Sequence, residues 1–301
     1  MTGGIAQGRL VPDELLGPLR DSTGVLRDGS ELQRRLSADG YLFLRNAVNR
    51  ADISAARGEV FERLAEVGEV RQPAIEGIAT GESHRRELAA DLGVFWQSVN
   101  NGPALRHVSH GPQIATLMQT VFGEPVRPHD FMFLRPGPVG RSTHLHYDFP
   151  FFARGSDRIL TVWLALGDIP VNEGPLMVLA GSNRFADLIE PIRKIDYESN
   201  SSPQVQMTED TVDFVRQRNS RLLTADFEPG DLVVFDMFTM HGTLDNQSAA
   251  GRVRLSCDVR WQPQADPIDS RYAGPNPSGT TGAGYGELNG AKPLTEDWHK
   301  R

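Results

Sequence analysis

Residues 227–241 read FEPGDLVVFDMFTMH. Phe227-Glu228-Pro229-Gly230-Asp231 is a turn, because proline presets one backbone angle and glycine accepts angles closed to other residues. Leu232-Val233-Val234-Phe235 is then a short apolar strand, and the segment closes on His241 ahead of Gly242. A strand this short behind a tight turn implies a sheet built from many such pieces. The same signature recurs on both sides, with candidate strands at 129–135, 142–147, 158–166, 175–180, 222–227, 231–237 and 252–262 between turns rich in Gly, Pro, Asn and Asp. The pattern predicts a sandwich or barrel of the jelly-roll kind.

Upstream the periodicity is helical. Residues 31–39 form a short amphipathic helix stopped by Gly40, and Tyr41-Leu42-Phe43-Leu44 is a buried strand. Asp52 or Ser54 caps a helix running to about Val67, and a further helix covers 111–122; the polar stretch 70–90 has no clear pattern. The chain is expected to be one domain over 1–301, with helical support over about 1–125, a jelly-roll core over about 126–262 and a tail over 263–301 that wraps the surface. The polar insertion 184–220, helical at 209–218, is expected to act as a lid over substrate.

Bulk properties narrow the function. A formal net charge of −8 with scattered basic residues leaves no footprint for nucleic acid or an anionic membrane, so a small-molecule substrate is expected. The single cysteine, Cys257, excludes an intrachain disulfide and a cysteine-based zinc site. No secretory leader or membrane-spanning run is legible, and the cytoplasm is the default address.

His144, His146 and Asp148 alternate on one predicted strand, and alternate side chains share a face. With eight histidines and 39 acidic residues, about one His-x-acid triplet is expected by chance alone, so its surroundings must carry the weight. Two imidazoles and one carboxylate occupy one face of an Fe(II) ion and leave the rest open for a cosubstrate and O₂. In a jelly roll the strands carrying His146-Tyr147-Asp148 and His241 can lie side by side. An arginine shortly after His241 suits the far end of a dicarboxylate. Singly, His241 reads as a surface residue, Arg254 as a strand-edge residue and Trp163 as core. Their joint occurrence in a workable order points to an oxygenase dependent on Fe(II) and 2-oxoglutarate.

The chain resembles the phytanoyl-CoA dioxygenase family. The resemblance runs through 39–44, 144–148, Val162-Trp163-Leu164-Ala165-Leu166 and Asn172-Glu173-Gly174-Pro175-Leu176-Met177-Val178-Leu179-Ala180-Gly181-Ser182. It continues in Pro229–Phe235, His241-Gly242-Thr243-Leu244-Asp245-Asn246 and Arg254-Leu255-Ser256-Cys257-Asp258-Val259-Arg260-Trp261-Gln262-Pro263. It departs from the family's turns at Gly181-Ser182-Asn183 and at Asn172-Glu173-Gly174.

The resemblance implies a mainly β fold with flanking helices, a double-stranded β-helix (jelly roll, cupin-like). It also implies Fe(II) held by His146, Asp148 and His241, with 2-oxoglutarate beside Trp163 and bonded by Thr243 and an arginine. Spacing from His241 and Asn246 points to Arg252, whereas the Arg-Leu-Ser pattern points to Arg254, which we favour. The implied reaction hydroxylates or otherwise oxidises a substrate C–H bond and releases succinate and CO₂; the carboxylate at 148 argues against halogenation. The competing readings are a metal enzyme using His144, His146 and His241 without 2-oxoglutarate, and a non-catalytic binding protein of the same fold.

Overall fold

The computed structural model describes residues 3–198 and 206–298. The N-terminal part is helical because its caps are well formed. In α1 (Gly29–Asp39) the Asp28 side chain accepts the Glu31 N–H, and Gly40, at φ 82°, ends the helix. In α2 (Arg50–Glu66) Asn49 is the cap and Ile53, Ala56, Val60, Phe61 and Leu64 are buried. After the short α3 (Arg85–Leu88) come α4 (Leu92–Asn100), α5 (Pro103–His110) and α6 (Pro112–Phe122); the last two open on proline at the first helical position. α4 and α5 were not anticipated, because Asn100-Asn101-Gly102-Pro103 between them reads as a loop.

The strands, in chain order, are β1 (Ile5–Ala6), β2 (Arg9–Leu10), β3 (Leu16–Pro18), β4 (Tyr41–Leu44), β5 (Val126–Pro128), β6 (Phe133–Gly137), β7 (Leu160–Ala165), β8 (Leu176–Leu179), β9 (Leu222–Thr224), β10 (Leu232–Asp236), β11 (His241–Thr243) and β12 (Arg254–Pro263). β1 and β2 form a small hairpin. The major sheet runs β4-β10-β7-β12-β5, with β6 also paired to β12; the facing sheet runs β11-β8-β9-β3. These two sheets, with helices against one of them, make the expected jelly roll without a closed barrel. The first 125 residues supply more than support, since β3 and β4 complete one edge of each sheet.

The major sheet is buried on both faces. Tyr41, Phe43, Trp163, Ala165, Val233 and Phe235 point toward Leu176 and Val178 of the facing sheet. Their neighbours Leu42, Leu44, Val162, Leu164 and Val234 join the helical core with Val60, Phe61, Leu105 and Met118.

The cap expected at Asp52 or Ser54 is Asn49 instead, both residues lying inside α2, and three further sequence expectations need correction. Of the strand expected at 129–135 only 133–135 forms, as the start of β6, because the N–H groups of Asp130 and Phe131 go to the Tyr272 carbonyl. Residues 142–147 form no ladder beyond a single bridge between His146 and His241. The tail does not merely wrap the surface. Tyr272, Tyr285, Leu288, Ala291 and Leu294 are buried, and Tyr285 stacks on Phe131 with ring centroids 4.5 Å apart. Arg85 holds this tail: its Nη1 donates to the carbonyls of Gly290, Ala291 and Lys292, and its Nη2 meets Glu69 Oε2 at 2.5 Å, all in the interior.

Within the expected insertion, α7 (Ala186–Ile192) and α8 (Thr211–Gln217) pack on the core through Ile189, Ile192, Val212 and Val215. Residues 199–205 of that stretch lie outside the described residues. Among the described residues no helix is long and apolar enough to cross a membrane.

Candidate metal centre

The segment before Asp148 is drawn against β11 by paired backbone hydrogen bonds. His146 N–H donates to the His241 carbonyl at 3.0 Å and His241 N–H returns to the His146 carbonyl at 3.1 Å. Two residues along β11, Thr243 N–H reaches the Thr143 carbonyl, and Thr143 N–H donates to Thr243 Oγ1 at 2.7 Å. Gly242 makes this approach possible, since a Cβ there would lie 2.6 Å from the Thr143 carbonyl oxygen.

The pairing brings three ligand atoms together. His146 Nδ1 lies 2.8 Å from the His144 carbonyl and His241 Nδ1 lies 3.0 Å from that of Thr239. A carbonyl only accepts, so each Nδ1 carries the proton and each Nε2 keeps a free lone pair. Both Nε2 atoms face Asp148 Oδ1, at 3.7 and 3.9 Å. These separations are too long for hydrogen bonds and of the order expected between two ligands of one first-row metal ion. The other oxygen, Asp148 Oδ2, is occupied, accepting from Thr161 Oγ1 at 2.8 Å and from Arg260 Nη2 at 2.7 Å. One ligand atom from each of His146, Asp148 and His241 falls within 4.8 Å of the others, a set that does not include His144. The donor set therefore fits a divalent metal: two neutral imidazoles with fixed tautomers and one carboxylate oxygen left unbonded.

Electrostatics favour the same state. Burial, reinforced by the neighbouring His241, pushes His146 down to about 3, and burial also lowers His241. Burial alone would raise the Asp148 carboxyl, but Arg260 and the two imidazoles more than offset it and hold it below the usual carboxylate range. All three groups are thus deprotonated at neutral pH, as metal binding requires.

Arg254 and Arg252 have different surroundings. Arg254 is 2% exposed, and its Nη1 donates to Ser256 Oγ at 2.7 Å, while Nε and Nη2 have no hydrogen-bond partner among the described residues. Burial lowers its pKa to about 10, with the charge of Arg135 adding to the effect. Gly137, opposite it on β6, leaves the room the guanidinium fills: a Cβ there would stand 2.9 Å from Nη2. Arg252 lies before β12 begins, half-exposed, with Nη1 3.5 Å from Glu173 Oε2. Asn246 closes the intervening loop by donating to the carbonyls of Gly137 and Arg252. Thr243 shares the inward face of β11 with His241. Trp163 packs on Phe227 at 4.7 Å, faces the same interior opposite Asp258, and has no partner for its indole N–H among the described residues.

Sequence reasoning missed Arg260, Thr161, Arg135 and Asp258. All four project between the sheets, and Arg135 Nε meets Asp258 Oδ2 at 2.5 Å. A cavity of about 740 Å³ opens beside the centre, bordered by His146, Asp148, Arg135 and Arg260 and by the apolar Phe133, Phe152 and Leu288. His241, Thr243 and Arg254 do not border it.

Comparison with known proteins places this geometry. The family model described as phytanoyl-CoA dioxygenase (PhyH) matches residues 36–254. The chain is 26% identical over 282 residues to 1-deoxypentalenic acid 11-beta-hydroxylase of Streptomyces exfoliatus, covering 89% of this chain and 93% of that protein. It is 26% identical over 234 residues to peroxisomal phytanoyl-CoA dioxygenase of Rattus norvegicus, covering 75% and 67%. Among solved structures, EctD from S. alaskensis in its apoform superposes with a TM-score of 0.54 at 16% identity, over 89% of this chain and 87% of that one. The epimerase SnoN in complex with Fe3+, alpha ketoglutarate and nogalamycin RO gives 0.53 at 19% identity, over 82% and 86%. These two likenesses concern the fold.

Proposed function

The chain belongs to the phytanoyl-CoA dioxygenase family of Fe(II)- and 2-oxoglutarate-dependent oxygenases, and from that premise we propose that His146, Asp148 and His241 hold its iron while Arg254 binds 2-oxoglutarate. The reaction oxidises a C–H bond of a small organic substrate and releases succinate and CO₂. The observation that carries this reading is the division of labour within the triad. Every polar atom not facing the metal position is bonded elsewhere, and the three that face it are free.

When bound, Fe(II) and 2-oxoglutarate supply the oxidising chemistry. The protein's own part is to orient and to exclude water. His146 and His241 are fixed by carbonyls of their own chain segments. Thr161 and Arg260 hold Asp148 so that one oxygen points inward. Arg254 offers two unpartnered donor groups to a carboxylate, the fork geometry that a dicarboxylate cosubstrate needs. Thr243 Oγ1, already accepting from Thr143, has its own proton to donate. The indole N–H of Trp163 is a further donor on the same interior face. Phe133, Phe152 and Leu288 give the substrate side an apolar patch. A small-molecule substrate is supported by relatives named for 1-deoxypentalenic acid and for ectoine.

The test is anaerobic titration with Fe(II) and then 2-oxoglutarate, followed by the weak visible absorption of the metal-bound cosubstrate, and in air by succinate release. His146→Ala and His241→Ala should each lose the band and the turnover while keeping the fold by circular dichroism. Normal activity in either variant would sink the assignment. Convergence of Asp148 rather than His144 on the two imidazoles disfavours the three-histidine alternative.

A further inference from the structure

The charges facing the interior do not cancel. Arg135, Arg254 and Arg260 are positive and Asp148 and Asp258 negative, which leaves an excess of one positive charge among groups that are mostly or wholly buried. Ferrous iron and 2-oxoglutarate bring opposite charges of equal size, so loading the site leaves that excess unchanged. An uncompensated charge in a low-dielectric interior is costly unless a ligand answers it.

Arg260 shows where the answer would sit. Its Cζ lies 4.3 Å from the Phe133 ring and 4.5 Å from the Phe152 ring, so aromatic surface covers the guanidinium and leaves its in-plane edges for bonding. Nη2 is engaged with Asp148 Oδ2 at 2.7 Å. Nε and Nη1, which flank Cδ rather than share an edge, have no hydrogen-bond partner among the described residues, and the acid near Nη1, Asp258, stands 4.0 Å away. Arg260 is 1% exposed and borders the cavity, as does Arg135. The acids of the cavity rim are committed: Asp245 accepts the backbone N–H groups of Gln7 and Gly8, Asp297 pairs with Arg141, and Glu209 is also engaged.

We propose that the substrate is an organic monoanion, a carboxylate or its equivalent on an apolar body, whose charged end docks on a free N–H donor of Arg260 with Arg135 beside it. The inference rests on the oxygenase reading and adds a substrate class to it. It assigns Arg254 and Arg260 to different anions: Arg254, which does not border the cavity, takes the cosubstrate, and Arg260, which borders it, takes the substrate. The apolar wall of Phe133, Leu134, Phe151 and Leu288 suits the rest of such a molecule.

The experiment is calorimetric titration of the Co(II)- and 2-oxoglutarate-loaded protein with 4-phenylbutyrate and with its neutral isostere 4-phenylbutyramide. The acid should bind about tenfold or more tightly than the amide, and Arg260→Gln or Arg135→Gln should bring the two within about threefold. Equal binding of acid and amide by the unaltered protein, or binding of neither, overturns the proposal. So does an Arg135→Gln variant that loses 2-oxoglutarate affinity and keeps its preference for the acid, because the excess charge would then serve the cosubstrate. The anaerobic visible band, recorded on the iron-loaded protein, separates the two readings. Its absence sinks the oxygenase assignment, whereas its presence without acid preference sinks the anion site alone.

Discussion

Arg260 and Asp148 meet between the two sheets, Nη2 to Oδ2 at 2.7 Å, with each side chain 2% exposed. The contact uses the carboxylate oxygen that faces away from the imidazoles, so it aims the other oxygen without competing for it.

Thr161 shares that task through a 2.8 Å hydrogen bond to the same oxygen. Groups that orient a metal ligand typically contribute about 10- to 100-fold in metal affinity. Thr161→Val keeps the shape and removes the donor, so Co(II) affinity should fall by about tenfold with little change in unfolding midpoint. An unchanged affinity would mean that Arg260 alone orients Asp148.

The two arginines around β12 predict different outcomes. Arg254→Ala removes a buried, unpartnered fork, and losing a charge-assisted pair there should cost about 2–5 kcal/mol, or roughly 30-fold or more in 2-oxoglutarate affinity. Arg252→Ala removes a half-exposed residue 3.5 Å from Glu173 and should change that affinity much less. Titration of the visible band gives both numbers, and the reverse ranking would reassign the anchor.

Acid should destabilise the protein before its carboxylates begin to titrate. Burial, with the charge of Arg106 second, lowers His110 from 6.5 to about 3, and burial lowers His129 to about 4. The unfolded chain takes up these protons near pH 6.5, whereas the folded chain resists them until about pH 4 and then about pH 3. Stability is therefore full above pH 6.5 and falls as pH drops below it, by up to about 1.4 kcal/mol per pH unit for each histidine. Urea midpoints of the metal-free protein at pH 7, 6 and 5 should decline in that order; a flat series would mean that these side chains become solvated.

The pair that fastens the tail is a further target. Arg85→Ala leaves Glu69 buried without its partner and releases the carbonyls of 290–292, which should cost about 3–5 kcal/mol. Asn289 and Gly290 border the cavity, so the loss should also open it to small apolar dyes. A midpoint within error of the unaltered protein would show that the tail holds itself in place.

The apolar strands were legible because they are short apolar runs between turn residues: 41–44, 160–165, 176–179 and 232–236 all appear as sheet. His146, Asp148 and His241 were legible as a set because metal ligation restricts residue type. The segment 142–147 was not, since it is ordered by a single bridge and by the absence of a Cβ at Gly242 rather than by its own pattern. Arg260 escaped for a subtler reason. Polar residues alternate along β12 at Arg254, Ser256, Asp258 and Arg260, and alternation ordinarily means polar outward. Here the polar row faces inward and Leu255, Cys257, Val259 and Trp261 pack on the helical side. The sequence displays the period of the alternation and is silent on its sidedness.

This arrangement sets how the chain tolerates changes of length. In β12 the residues that hold the fold and those that face the centre alternate one by one. A deletion or insertion of a single residue there would exchange the two rows, burying arginines among helices and turning leucine toward the metal. The loop from 246 to 252 carries no such parity. Asn246 pins it by main-chain carbonyls, and so it can gain or lose residues while Arg254 stays in register. Variation in length among relatives should therefore collect just before β12 and stop abruptly at Arg254.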